Sequence, residues 1–291
     1  MLTKPVVSWK THWIAVSLLL LLACSTAPVT RTVAESALGA LGEEATARFF
    51  YPSAGSRAEA YLVRPRGAGP FPLIIFLHGH SAYGLGAIRL LPAAELFARE
   101  VCYAGLAISL PGYGGTEVGG GPLAETTRSV VLDAIAQAKK LPWIDAERLY
   151  IYGFSRGAVV ATALVHQIDG LKGAMLHSGA YDLTKLYQDT SSFWLRQLLN
   201  PGGEEQPRFH DLLSEMSGWR FSTLVLHGRR DSLVPFSQAL LLRDRLASLG
   251  KPHRLVAFPE HGHRLPVRDV KEQAVRFLIE TGGTACATND P

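Results

Sequence analysis

Four short runs of apolar residues constrain the fold of this chain more than any other feature. Residues 72–78 read Pro-Leu-Ile-Ile-Phe-Leu-His and lack the polar alternation of a strand with one wet face. A run of this kind predicts a strand that is buried on both faces, as in a mostly parallel sheet. The other three runs are residues 103–110, 149–153 and 171–177.

Stretches with helical character separate these strands and continue after them. Before the first run, residues 47–51 and 58–63 predict an antiparallel pair closed by a Pro-Ser-Ala-Gly turn. The later predicted strands are residues 223–227 and 254–258, and the predicted helices are residues 123–141, 156–167, 237–249 and 267–280. This alternation predicts an α/β fold with a doubly wound, mostly parallel sheet, whose ligands bind beyond the carboxyl ends of the strands.

The N-terminus has the pattern of an export signal. Lys4 and Lys10 precede an apolar stretch, residues 14–23, that is too short to span a bilayer comfortably. The stretch ends in Leu-Leu-Ala followed by Cys24, which resembles the lipobox of bacterial lipoproteins. We therefore expect lipid attachment at Cys24, and ordinary cleavage near Ala27 is the alternative.

These signals divide the chain into segments and predict its location. The expected segments are a signal peptide at residues 1–23, a lipidated Cys24 with a small, polar tether to residue 44, a catalytic domain at residues 45–283 and a tail at residues 284–291. The protein is expected to be exported and anchored to a bacterial membrane only through its lipid. In the lipoprotein resemblance, Ser25 stands where Asp is typical of inner-membrane retention, which favours the outer membrane in a host that has one.

Charge and cysteine content exclude some classes of partner. The formal net charge of +4 falls by two when Lys4 and Lys10 are removed with the signal, and the chain has no run of five basic residues. We therefore expect no nucleic-acid partner. Beyond Cys24, only Cys102 and Cys286 remain, without metal-binding spacing. A buried, free Cys102 and a frayed Cys286 are favoured over a disulfide, although an oxidising compartment would permit the bond.

The pentad Gly-Phe-Ser-Arg-Gly at residues 153–157 marks Ser155 as a candidate nucleophile. The pattern Gly-x-Ser-x-Gly is common by chance, so its context decides. Here it follows the strand at 149–152 and opens a helix of small residues, as in a nucleophile elbow. The flanking glycines permit a sharp turn that exposes the serine hydroxyl at the sheet edge. A glycine-rich turn with a solvated serine is the alternative.

Acyl transfer by a serine also needs a base and a group that orients the base. His261 and His263 both follow the predicted strand 254–258 and are candidates for the base. Asp231, shortly after the strand 223–227, is the candidate acid, and Asp182 is the weaker alternative. The order serine, aspartate, histidine along the chain is that of α/β-hydrolases.

The turn His78-Gly79-His80 follows the first buried strand, where this fold builds half of its oxyanion hole. We expect the main-chain amides of His80 and Arg156 to face the oxyanion. The His-x-His patterns at 78–80 and 261–263 are also typical of zinc ligands, but neither is followed by the acidic or histidine ligand that such sites use. No metal and no cofactor are therefore expected.

Together these motifs resemble the α/β-hydrolase superfamily over about residues 45 to 280. Leu226-His227-Gly228, Asp231, Val234-Pro235 and the block Glu260-His261-Gly262-His263 are most similar to prolyl-oligopeptidase-like (dienelactone-hydrolase-like) serine hydrolases. The resemblance favours His263 over His261 as the base. Arg156 departs from the tyrosine that often follows the nucleophile in this family.

The resemblance implies a cofactor-free serine hydrolase that acts on a small ester or a short peptide. The peptidases of the family carry an N-terminal propeller, for which the predicted tether leaves no room, so esterase activity is favoured. A prolyl-oligopeptidase-like peptidase, an acyl-peptide hydrolase and a non-catalytic surface lipoprotein of the same fold are the alternatives. Aromatic residues between 181 and 219 suit either a small cap over the acyl pocket or ordinary core packing.

Overall fold

The structure is a computed structural model that describes residues 30–199 and 211–282. The predicted signal peptide, Cys24, Cys286 and the predicted tail lie outside these residues. The strands are β1 (Arg31–Val33), β2 (Thr46–Ser53), β3 (Ser56–Val63), β4 (Phe71–Leu77), β5 (Ala104–Ile108), β6 (Ile144–Phe154), β7 (Leu171–His177), β8 (Ser222–Gly228) and β9 (His253–Phe258). The α-helices are α1 (Leu91–Val101), α2 (Glu125–Lys139), α3 (Arg156–Leu164), α4 (Leu183–Asp189), α5 (Phe193–Leu199), α6 (Ser237–Ser248) and α7 (Val267–Glu280).

The described strands form one mixed sheet in the order β1-β2-β3-β5-β4-β6-β7-β8-β9. Strand β3 runs antiparallel to β2 and β5, and the other neighbouring pairs are parallel. The predicted α/β class, its mostly parallel sheet and its antiparallel N-terminal pair are therefore confirmed. The carboxyl ends of β4, β6, β7 and β8 lie side by side at one edge, which is where the candidate site residues are.

Strand β4 explains why the sheet is covered on both faces. All seven of its residues are buried. Leu73, Ile75 and Leu77 point to the layer that contains α2 and α3, whereas Ile74 and Phe76 point to the layer that contains α1 and α7. Because successive side chains alternate between the two faces, a continuous apolar run supplies both cores. Burial of each such side chain stabilises the fold by roughly 2 kcal/mol.

Part of the predicted tether belongs to the folded structure. Strand β1 pairs in parallel with β2, opposite residues 47–49, and a 3₁₀-helix at Glu35–Ala40 buries Leu38 in the core. The polar composition of residues 24–44 hid this, because a three-residue edge strand needs few apolar side chains. The folded domain therefore begins before the boundary predicted at residue 45.

Cys102 was expected to be a free, buried thiol, and this is wrong. It is disulfide-bonded and only partly buried. It ends α1 in the left-handed conformation with φ 56°, which turns the chain sharply into β5. The other two cysteines lie outside the described residues.

The segment between β7 and β8 contains two short helices beside the candidate site. Of its aromatic residues, Tyr181 and Trp219 are fully buried in the core, as packing residues are. Phe193 and Trp194 at the start of α5 are exposed. Leu183 and Leu186 of α4 pack with Val159 of α3 in a separate small cluster. Within the described residues, no helix is long and apolar enough to cross a membrane.

Candidate active site

The tight turn between β6 and α3 presents Ser155 at the carboxyl edge of the sheet. Ser155 has φ 54° and ψ −116°, a backbone conformation that residues other than glycine rarely adopt. Its amide donates to the His177 carbonyl oxygen at 2.8 Å, which ties the turn to the end of β7. A Cβ atom at Gly157 would overlap the backbone carbonyl of Leu77, and one at Gly153 would overlap α3. Both glycines of the pentad are therefore required by close backbone packing.

Ser155, His263 and Asp231 form a continuous hydrogen-bonded chain. Oγ of Ser155 lies 2.9 Å from Nε2 of His263, and Nδ1 of His263 lies 2.8 Å from Oδ2 of Asp231. Because an ionised carboxylate only accepts hydrogen bonds, Nδ1 is the protonated nitrogen of the neutral imidazole. Nε2 then carries the free lone pair and accepts from the serine hydroxyl. This is the tautomer that a general base needs.

Asp231 is held in place by more than its contact with His263. Its Oδ1 atom accepts from the amides of Leu233 at 3.0 Å and Val234 at 2.9 Å. Burial by itself raises the pKa of this carboxyl group, but hydrogen bonds from His227 and His263 outweigh burial and hold the pKa well below its ordinary value. Asp231 is therefore ionised at neutral pH.

The two alternatives for base and acid lie elsewhere. His261 packs edge-on against Phe258, with ring centroids 6.2 Å apart. Asp182 caps α4, where its side chain accepts from the amide of Lys185 at 2.8 Å. In the structure, His263 contacts both Ser155 and Asp231 through hydrogen bonds. Neither His261 nor Asp182 takes part in these contacts.

His227 is a neighbour of Asp231 that the sequence analysis did not single out. Its Nε2 atom lies 2.9 Å from the Val234 carbonyl oxygen and 3.3 Å from Oδ2 of Asp231. A carbonyl oxygen accepts only, so Nε2 carries the proton and donates toward both. The side chain is fully buried. The Leu-His-Gly sequence at the end of β8 was the available signal, because a histidine in a buried strand needs a partner.

A second buried histidine, His177, lies near His263 and is separated from it by the ring of Phe154. His177, at the end of β7, shares a 2.6 Å hydrogen bond between its Nδ1 atom and the Tyr152 hydroxyl. The ring of Phe154 lies between His177 and His263, with centroid distances of 4.7 Å and 5.4 Å. Burial, followed by the nearby charge of His263, lowers the pKa of His177 to about 3. His177 is therefore neutral and packs behind His263, the candidate base.

The loop after β4 packs directly against the elbow. A Cβ atom at Gly79 would lie 2.9 Å from Cδ1 of Phe154 and 3.1 Å from Cβ of Ser155, so glycine lets the loop approach the elbow without displacing these side chains. Nη1 of Arg89 donates to the carbonyl oxygens of Gly79 at 3.2 Å and His80 at 2.9 Å, which fixes the course of the loop. The structure thus places the backbone that leads to His80 beside Ser155. The oxyanion role of the His80 amide stays a prediction.

Arg156 is the first residue of α3 and follows the candidate nucleophile directly. Its amide is at the positive end of the helix, consistent with the predicted oxyanion role, which also stays a prediction. Of the residues that the structure describes, no group of three or more His, Cys, Asp or Glu side chains lies close enough to hold a metal ion.

Comparison with known proteins places this geometry in a family. The model of the prolyl oligopeptidase family (Peptidase_S9) matches residues 124–280. The chain is 22% identical over 240 residues to the uncharacterized peptidase YtmA of Bacillus subtilis, which covers 79% of this chain and 90% of that protein. The residues that the family model matches include the elbow, Asp231 and His263.

Solved structures share the fold at low sequence identity. The acylaminoacyl peptidase of Pyrococcus horikoshii superposes with a TM-score of 0.67 at 18% identity over 86% of this chain, which spans only 44% of that protein. The esterase PF2001 of Pyrococcus furiosus superposes with a TM-score of 0.64 at 16% identity, covering 81% of this chain and 91% of that one. The fold is thus that of both peptidases and esterases. The prolyl oligopeptidase family model matches more than half of this chain, and the chain therefore belongs to that family.

Proposed function

We propose that this protein is a serine hydrolase that cleaves carboxylic esters through an acyl-enzyme at Ser155. The observation that carries the proposal is the unbroken chain of hydrogen bonds from the Ser155 hydroxyl through His263 to the buried Asp231. The strained backbone at Ser155 adds support, because strain of this kind persists where the surrounding structure enforces it for a purpose.

The first half-reaction forms the acyl-enzyme. Oγ of Ser155 attacks the ester carbonyl carbon while Nε2 of His263 takes the hydroxyl proton, and ionised Asp231 stabilises the imidazolium. The amides of His80 and Arg156 donate to the oxyanion. The tetrahedral intermediate collapses as the bond to the alcohol oxygen breaks, and His263 returns the proton to that oxygen. Water then attacks the acyl-enzyme with the same proton transfers and releases the acid.

Cleavage of short peptides or acyl-peptides is the second candidate. It is favoured by the membership in a peptidase family and by the similarity to YtmA, which is described as a peptidase. The same proton transfers serve an amide, provided that His263 protonates the leaving nitrogen. We place the ester first because the described residues form a single hydrolase unit around one sheet.

We further propose that the protein is exported and anchored through lipidated Cys24, with membrane contact through the lipid only. The apolar stretch before Cys24 carries this proposal. The disulfide at Cys102 supports it, because such bonds persist mainly in oxidising compartments. Metabolic labelling with a fatty-acid analogue tests it: the wild type should incorporate the label, and Cys24→Ala should not.

A fluorophosphonate probe and a substrate panel test the catalytic proposal. The probe should label the wild type and leave Ser155→Ala unlabelled, because phosphonylation needs the activated hydroxyl. Nitrophenyl esters of increasing acyl length, assayed beside aminoacyl anilides, should show higher kcat/KM for the esters. Faster anilide turnover would assign the peptidase function instead. Absence of labelling in the folded wild type would identify a non-catalytic lipoprotein that keeps the fold.

A further inference from the structure

Two arginines without a counter-ion flank the loops next to Ser155. In the N-terminal half, Arg48 pairs with Glu59 and Arg57 with Glu117, whereas Arg64 donates only to main-chain carbonyl oxygens. Neither Arg156 nor Arg89 has a carboxylate partner among the described residues. A partly buried guanidinium that lacks a counter-ion and lies next to a candidate nucleophile can bind an anion.

Arg156 uses little of its hydrogen-bonding capacity within the protein. Nη2 donates to the Gly120 carbonyl oxygen at 3.0 Å, and the guanidinium lies over the Tyr113 ring at 5.6 Å. Nε is buried without a hydrogen-bond partner. A guanidinium has five N–H donors in a planar fork. The stacking on Tyr113 orients the fork. Because Nε is buried and Nη2 bonds to Gly120, Nη1 is the donor left for a carboxylate.

The second arginine is joined to the first through the predicted oxyanion loop. The Tyr113 hydroxyl lies 2.6 Å from Nδ1 of His80, and Nη1 of Arg89 donates to the His80 carbonyl oxygen at 2.9 Å. Both positive charges act on this loop: after burial, Arg156 and then Arg89 lower the pKa of His80. The loop therefore stands in the positive field of both guanidinium groups.

We infer that Arg156, assisted by the charge of Arg89, selects substrates whose acyl portion carries a carboxylate. The inference rests on the proposed function, because it assigns the acyl group to Ser155. We place the carboxylate on the acyl portion because that portion is bonded to Ser155 in the acyl-enzyme that links the two half-reactions, and Arg156 is the adjacent residue. Two sources fit this chemistry: a monoester of a dicarboxylic acid, and an acidic amino acid that supplies the scissile carbonyl.

Matched pairs of substrates that differ in one charge test the inference. For the first source, mono(4-nitrophenyl) adipate is compared with 4-nitrophenyl methyl adipate. For the second, the 4-nitroanilide of N-acetylglutamate is compared with that of N-acetylglutamine. We expect wild-type kcat/KM to be about tenfold or more higher for the anion within the pair that matches the natural source, since a charge-assisted hydrogen bond contributes that much. The pair with the larger ratio identifies the source.

Arg156→Gln should lower the anion-to-neutral ratio of kcat/KM by roughly 10- to 100-fold, whereas Arg156→Lys should restore part of it. The control is Arg128→Gln on α2, whose arginine is exposed and paired with Glu125, and it should keep the wild-type ratio. Added salt should lower the ratio in the wild type. An equal loss for both members of a pair in Arg156→Gln would overturn the inference, because it would mean that Arg156 only fastens the loop at Gly120 or serves the oxyanion.

Binding to Ser155→Ala separates this inference from the proposed function. In calorimetry, that variant should bind mono(4-nitrophenyl) adipate at least about tenfold more tightly than the methyl diester. If the wild type hydrolyses no ester and Ser155→Ala still shows this preference, the proposed reaction fails and the anion site stands. If Arg156→Gln does not fold, a wild-type ratio near one in both substrate pairs is sufficient to overturn the inference.

Discussion

Asp231 makes more hydrogen bonds than the orientation of one histidine requires. Two main-chain amides fix Oδ1, while His263 and His227 approach Oδ2 at 2.8 Å and 3.3 Å. The amides fix the plane of the carboxylate, and the second imidazole helps to keep it ionised despite its burial. The direction of the oxygen that faces His263 is therefore set by the protein before any substrate binds.

We expect Asp231→Asn to lower kcat by about 10⁴-fold while the protein stays folded. The amide side chain has nearly the same shape, so the loop keeps its form. Its NH₂ group, however, donates where the carboxylate accepts, which favours the wrong tautomer of His263 and removes the charge that stabilises the imidazolium. Steady-state kinetics with a nitrophenyl ester, together with circular dichroism, measure both parts.

Asp182→Asn is the matched control, because Asp182 also follows a strand of this edge and caps α4. It should lower stability by about 1 kcal/mol or less and leave kcat within a fewfold of the wild type. Comparable losses of activity in the two variants would show that the rate depends on the loops in general and would contradict the role of Asp231.

The sequence predicted the residues of a recurring catalytic motif, but it did not predict side-chain contacts that depend on tertiary packing. Ser155, Asp231 and His263 were predicted as candidates because each follows a strand in a fixed order, and the structure brings them together. The contact of Arg156 with Tyr113 was not predictable, because it joins residues on two loops through a ring orientation that only tertiary packing sets. His227 was not predicted as a neighbour of Asp231, although its position at the end of a buried strand was a usable signal.

The elbow depends on how closely α3 approaches β4. Gly157 lies in the first turn of α3, and its α-carbon faces the carbonyl of Leu77 at the end of β4. That proximity draws the N-terminus of the helix down to the sheet edge, where Ser155 and the amide of Arg156 are presented. The position of the candidate nucleophile is therefore a property of the contact between helix and strand.

We expect Gly157→Ala to lower the free energy of unfolding by about 2 kcal/mol or more. Alanine favours helix formation by up to about 1 kcal/mol over glycine, but the new methyl group would overlap backbone that belongs to a central strand and has little freedom to move. Urea denaturation measures the change. Activity should fall as well, because α3 must shift away from β4 and take Ser155 with it.

Gly218→Ala is the control for this substitution. Gly218 is exposed at the end of a 3₁₀-helix, and a Cβ atom there meets no other atom within 4 Å. The free energy of unfolding should change by no more than about 0.5 kcal/mol. If the two alanine variants were equally stable, the close approach of α3 to β4 would have to be abandoned as the reason for glycine at position 157.

Helices and strands with long apolar patterns were easier to predict from the sequence than short ones with few apolar residues. The fully buried strands and α7 were found within a few residues of their observed ends, because a strong periodic pattern leaves few alternatives. Strand β1 was not, since Arg31 and Thr32 lie on an exposed edge and only Val33 is partly buried. Helix α1 buries Leu91, Ala94, Phe97, Ala98 and Val101, a helical spacing that was present in the sequence as a usable signal.

The whole molecule places several histidines in its interior, between a sheet and the loops at its edge. His78 is buried, accepts from the amide of Leu110 at Nε2 and donates from Nδ1 to the Gly79 carbonyl oxygen. Both ring nitrogens are therefore used by a neutral imidazole. Burial lowers the pKa of His78 to about 4, as it lowers that of His177 to about 3. The folded state thus excludes protons that the unfolded chain binds readily.

This exclusion predicts that stability falls as the pH drops from 7 to 5. In the unfolded chain, a histidine has a pKa of about 6.5 and binds a proton in this window, whereas folded His78 and His177 do not. Because the unfolded state binds more protons, each of the two histidines should remove roughly 2 kcal/mol from the free energy of unfolding between pH 7 and pH 5. Asp231 does not add to this loss, since its lowered pKa keeps it ionised at pH 5.

Urea denaturation at several pH values tests the prediction, and His177→Gln isolates one contribution. Glutamine fits a hydrogen bond to the Tyr152 hydroxyl but does not titrate, so the variant should be less stable at pH 7 and lose about 2 kcal/mol less than the wild type on going to pH 5. Equal pH dependence in the two proteins would mean that His177 takes up a proton in the folded state. The His177 side chain would then carry a positive charge at pH 5 and would oppose protonation of His263. Such a result would contradict the assignment of His177 as a neutral packing residue.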